Sequence, residues 1–135
     1  MTALDQRYQK KIIDHWRASA LKNWADSDFM FNNKRYDWSL FIAQLTIEKI
    51  LKALVVKFTN ELAPPIHDLE KLANLTGLKL TPRNQSWLKE ITTFNIEARY
   101  DDIKMNFYKK ATRQYSTKWI NNSREIIQWL EKQFN

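Results

Sequence analysis

The sequence predicts an all-α protein, an antiparallel up-and-down four-helix bundle with an additional short helix. Three observations predict it. Apolar residues recur at helical spacing through most of the 135 residues, and one glycine and three prolines are too few for many tight turns. Nor is there an internal repeat, a low-complexity segment or a linker that would split the chain. A chain of this length fills one substantial core, so residues 1–135 are read as a single domain.

The first helix is expected from about Tyr8 to Asn32, where Tyr8, Ile12, Trp16, Ala20 and Trp24 repeat every fourth position. Asn32 to Arg35 form the turn, and the second helix runs from Tyr36 or Asp37 to about Thr59. Its stripe of Leu40, Ala43, Ile47, Ile50, Leu51, Leu54 and Phe58 is the expected main core face. Phe41, Leu45 and Val56 lie opposite, so this helix is central or meets another subunit, with Phe41 and Leu45 as the expected interface.

Pro64-Pro65 ends that helix, since proline lacks an amide donor and displaces its predecessor from helical geometry. A short helix follows from about His67 to Leu75, stopped by Gly77. Thr81-Pro82 is a cap followed by proline at the first helical position, so another helix starts there and buries Trp87, Leu88, Ile91 and Phe94. Arg99 to Lys104 reads as a polar loop, and the last helix spans about Asn106 to Gln133, with Tyr108, Ala111, Tyr115, Trp119, Ile126, Leu130 and Phe134 on one stripe.

Lysine and arginine total 22 against 15 acidic residues, a net charge of +7 that attracts phosphate-bearing partners or forms a solvated basic surface. The absence of cysteine removes disulfide, thiolate-metal and thiol-nucleophile chemistry and fits a reducing compartment; the cytoplasm is the expected location. No apolar run approaches the roughly twenty residues a membrane span needs, and no signal segment is evident. Two histidines cannot complete a zinc site, and the acidic groups Glu97, Asp101, Asp102 and Asp26, Asp28 are weak magnesium candidates, so neither metal nor cofactor is expected.

Three polar groupings stand out. Lys49 and Lys52 lie about 60° apart on the helical wheel and can reach one phosphate-sized patch, or else Glu48 pairs with Lys52 across one turn. His67 and Asp68 open the short helix, where Asp68 suits the helix dipole and His67 could meet a base. Arg99 beside Tyr100 combines a permanent cation with an aromatic plane, unless Glu97, Asp101 or Asp102 neutralises the cation. Most tryptophans fall on core stripes, which makes packing their expected role; Trp38 and Trp129 are less clearly inward.

The runs Tyr36-Asp37-Trp38-Ser39-Leu40-Phe41-Ile42-Ala43-Gln44, Glu48-Lys49-Ile50-Leu51-Lys52-Ala53-Leu54, His67-Asp68-Leu69 and Ala98-Arg99-Tyr100, with His15-Trp16 and Ala20, resemble the HEPN domain family (higher eukaryotes and prokaryotes nucleotide-binding) in order and spacing. The resemblance covers roughly residues 15 to 102. It implies a helical bundle, commonly a homodimer, often encoded beside a small nucleotidyltransferase and acting on RNA or binding nucleotides, as in toxin-antitoxin-like, defence or stress systems. Lys49, Lys52, His67, Arg99 and Tyr100 are the implied nucleotide- or phosphate-binding residues.

The family's nuclease branch carries an arginine followed about four to six residues later by histidine, and this chain has no such pair. Asn23 also stands where members often carry aspartate. The expected function is therefore binding, with no catalytic residue assigned; a metal-independent ribonuclease using His67 and a structural dimerisation domain are the alternatives. Sequence-specific DNA recognition is not expected.

Overall fold

The computed structural model describes residues 4–99 and 101–135, and the side chains of all of these except 101–104. Its helices are α1 (Gln6–Asn32), α2 (Tyr36–Thr59), α3 (Leu69–Thr76), α4 (Pro82–Glu97), α5 (Asp101–Lys110) and α6 (Arg113–Glu131), followed by a 3-10 turn over Lys132–Phe134. No strand occurs among the described residues, so the all-helical class is as the sequence predicts.

α1 and α2 form an antiparallel hairpin whose register is visible in three cross-links. Gln9 Nε2 donates to Val56 O at 3.1 Å, Lys49 Nζ donates to Ser19 Oγ at 2.7 Å, and Ser27 and Ser39 donate their hydroxyls to each other's carbonyls at 2.8 Å. Both serines are fully buried, so the small side chains bring the two backbones close and satisfy their own hydroxyls there. α2 also packs against α3, α4 and α6, which makes it the central helix.

The α2 stripe is wholly buried from Leu40 to Leu54, while Phe58 at its far end is exposed. Val56 of the second apolar set is buried too, whereas Phe41 and Leu45 remain half-buried at the surface. An aromatic cluster joins α4, α5 and α6 within the core. Phe94 stacks on Phe107 with centroids 5.6 Å apart and meets Tyr115 and Trp119 edge-on at 6.2 and 6.1 Å.

The caps follow the expected chemistry. Thr81 accepts from the Asn84 amide at 3.0 Å with Pro82 behind it, and Gly77 ends α3 at φ 77°. Asp68 accepts from the Lys71 amide at 3.1 Å, so α3 begins at Leu69 and His67 lies just outside it.

One expectation is corrected: the run after Arg99 is helical. α5 occupies Asp101–Lys110, with two acidic residues at its N-terminus and Lys109 and Lys110 in its last turn, an order the helix dipole favours. The long terminal helix is consequently two helices, because Thr112 caps a new start by accepting from the Tyr115 amide at 3.2 Å.

Candidate functional site

The site is built around a ridge on α2 in which Gln44, Glu48 and Lys52 follow one another at four-residue spacing, all buried. The Glu48 carboxylate binds the Lys52 ammonium at 3.0 Å through one oxygen. Its other oxygen accepts from Gln44 Nε2 at 3.1 Å and lies 2.9 Å from His67 Nδ1. Lys52 also sits 5.5 Å from the centre of the Trp16 ring, so the buried cation has an anion on one side and an aromatic face on the other.

These bonds fix the orientation of the polar groups beyond them. Since an ionised carboxylate only accepts, His67 Nδ1 is the donor and Nε2 is the ring atom left for a ligand. Gln44 spends its amide hydrogens on Glu48 and on the His67 carbonyl at 3.0 Å, so its oxygen accepts from Asn95 Nδ2, also at 3.0 Å. The Asn95 oxygen is then an acceptor. Thr92 joins α3 to α4 by accepting from the Leu69 amide at 3.1 Å while donating to Leu88 O at 2.7 Å.

His67, Asp68, Thr92, Asn95, Ile96 and Arg99 line a cavity of about 270 Å³ above this network. Asn95 is nearly inaccessible while the His67 side chain is 47% exposed, so the site has a rigid polar floor and an open cationic and imidazole rim. The Arg99 guanidinium lies 5.9 Å from the Phe41 ring centre and has no ion pair among the described residues. Glu97 does not neutralise it, because that carboxylate faces Lys110 at 3.8 Å; the Asp101 and Asp102 side chains lie outside those described.

The five phosphate-binding residues expected from sequence do not share one patch. His67 and Arg99 meet in the cavity, and Lys52 reaches it only through Glu48. Lys49 turns to α1, where its ammonium donates to Ser19 Oγ at 2.7 Å and Asn23 Oδ1 at 2.6 Å. Burial lowers its pKa, against the opposing fields of Glu48 and Asp26. The helical wheel placed both lysines within reach of one anion, but a turn-spanning carboxylate captures Lys52 and the α1 seam captures Lys49. Tyr100 lies outside the described residues.

Gln44, Glu48, Thr92 and Asn95 are the site residues that sequence reasoning did not assign. The first two were visible as a polar ridge within an otherwise apolar helix; Asn95, between Phe94 and Ile96, carries no such signal. Two of the larger cavities, of about 310 Å³ between α1, α2 and α6 and about 480 Å³ beside Leu4, Val55 and Leu62, are mainly apolar and less suited to a phosphate.

No described helix is long and apolar enough to cross a membrane. None of the curated proteins matches the chain closely enough to count as a relative. Among solved structures it is similar to TT1696 from Thermus thermophilus, with a TM-score of 0.76 and 19% identity over 89% of this chain and 96% of that one. It is also similar to ST0689, an archaeal HEPN homologue, with a TM-score of 0.70 and 19% identity over 91% of this chain and 98% of that one. At such identities the likeness concerns the fold. The sequence profile of the HEPN domain matches residues 13–133, nearly the whole chain, and the chain therefore belongs to the HEPN domain family.

Proposed function

We propose that this HEPN domain binds the phosphate of a nucleotide or of RNA in the cavity between His67 and Arg99. The observation that carries the reading is that these residues, distant in sequence, line one cavity with the imidazole aimed by a buried carboxylate. Arg99 supplies a fixed charge for phosphate oxygens, His67 Nε2 and the Asn95 oxygen offer directional partners for sugar or base, and Ile96 gives an apolar wall. Lys52 acts as a positioning residue that holds Glu48 beneath His67, and Lys49 holds α1 against α2.

Calorimetric titration with common nucleotides near neutral pH and low salt tests the reading. Saturable binding that Arg99→Ala weakens by at least tenfold is expected, and no saturable binding by any common nucleotide would refute it. In the cell the domain acts with a nucleotidyltransferase subunit, in a toxin-antitoxin-like, defence or stress system, and as a homodimer through the half-buried Phe41 and Leu45. Recovery of a small nucleotidyltransferase, encoded in the adjacent reading frame, with the tagged chain tests that pairing.

A second reading rests on the Glu48–His67 contact. A carboxylate on Nδ1 prepares an imidazole to take a proton through Nε2, as a metal-independent ribonuclease requires. It expects cleavage of labelled single-stranded RNA in the presence of chelator, abolished by His67→Ala. RNA left intact under all metal conditions would eliminate it.

A further inference from the structure

Where the α1–α2 turn meets the α5–α6 turn, Lys34, Tyr36, Asp37, Tyr108, Lys109 and Arg113 surround a separate cavity of about 290 Å³. It is not an extension of the first: α5, ten residues and about 15 Å of helix, starts just after Arg99 and carries Lys109 in its last turn. Three cations face one carboxylate, Asp37, and none of the three forms an ion pair among the described residues.

The turns hold these groups in place. Lys34 has a left-handed backbone at φ 60°, fixed by bonds from its own amide to Phe31 O at 3.0 Å and from the Arg35 amide to Met30 O at 2.8 Å. Lys109 and Arg113 flank the break at Thr112, whose hydroxyl is already occupied in capping α6. Of the two tyrosines, Tyr36 packs edge-on against Phe31 at 5.2 Å, but the Tyr108 side chain stands 63% exposed on the rim. An exposed aromatic face beside an excess of positive charge is the combination that holds a phosphate together with the base attached to it.

We propose that Lys34, Lys109 and Arg113 form a second binding site, for the phosphate of a nucleotide, with Tyr108 as the wall on which its base rests. The site stands independently of the His67–Arg99 cavity. Asp37 repels the anion in part, so binding depends on keeping all three cations.

Adenosine 5′-monophosphate titrated at low salt into the whole chain, followed by backbone amide NMR, tests the proposal. Saturable shifts are expected at Lys34, Tyr108, Lys109 and Arg113. They should weaken roughly tenfold or more in the exposed-site variant Lys109→Gln/Arg113→Gln, which removes two charged contacts, and about fivefold in Tyr108→Ala, which removes the stacking face. His67→Ala should leave them unchanged, which separates this site from the first. Absence of saturable shifts at these residues, or shifts that survive Lys109→Gln/Arg113→Gln, would overturn the site. If Lys109→Gln/Arg113→Gln loses its spectral dispersion, Lys34→Gln serves instead. An affinity indifferent to Tyr108→Ala would overturn the assignment of a nucleotide.

Discussion

Glu48 is the residue on which the site's geometry depends, because one buried carboxylate receives Lys52, Gln44 and His67 together. Removing one partner of a buried pair strands the other charge in the core. Glu48→Ala should therefore cost about 3–5 kcal/mol in chemical denaturation, and adding Lys52→Met should recover much of the loss. A double variant no more stable than the single one would show that the stranded ammonium is not the cause. Glu97 supplies a pH signature: burial raises its pKa above 4.5, against the opposing pull of Lys110, and Glu90 raises it further. The native state thus holds a proton that the unfolded chain releases, so this group's contribution to stability falls as pH rises from about 4.5 through the higher folded value. Glu97→Gln should flatten that part of the stability profile, measured by thermal melts in matched buffers.

At the level of elements, local chemistry was legible wherever a cap or break has a residue signature. Thr81-Pro82 and Gly77 marked their boundaries because each acts through its own backbone or a bond within three residues, whereas α2 already ends at Asn60, left-handed at φ 56°, ahead of the double proline. The first half of α5 reads as a loop because its composition is polar, and the break between α5 and α6 at Ala111-Thr112 carries no proline or glycine to mark it. The candidate site was likewise half legible. His67 and Arg99 were identifiable as chemistry, but the capture of Lys49 by Ser19 and Asn23 depends on helix register, which one helix's wheel does not contain. The α1–α2 seam gives a direct test of that register. Ser27→Leu forces a large side chain between backbones that meet through two serines, and should destabilise by about 1–3 kcal/mol in urea titration. An unchanged midpoint would place the seam elsewhere.

For the whole molecule, the surplus of positive charge and the half-buried face of Phe41 and Leu45 describe what the bundle offers to partners. If this face joins two copies, Phe41→Glu or Leu45→Glu should halve the mass seen by light scattering with helicity intact; an unchanged mass would leave both residues as monomer packing. The proposed binding needs packing to bring the segment before α3 and the end of α4 together over the α2 ridge, as one phosphate-binding cavity. Long-range ¹⁵N NMR of the His67 imidazole during nucleotide titration reports on that cavity at the ligand-facing atom. A saturable shift at Nε2 is expected while Nδ1 stays protonated against Glu48, and Arg99→Ala should abolish it. A His67 ring unaffected by saturating nucleotide, or a shift that Arg99→Ala leaves intact, would contradict that binding.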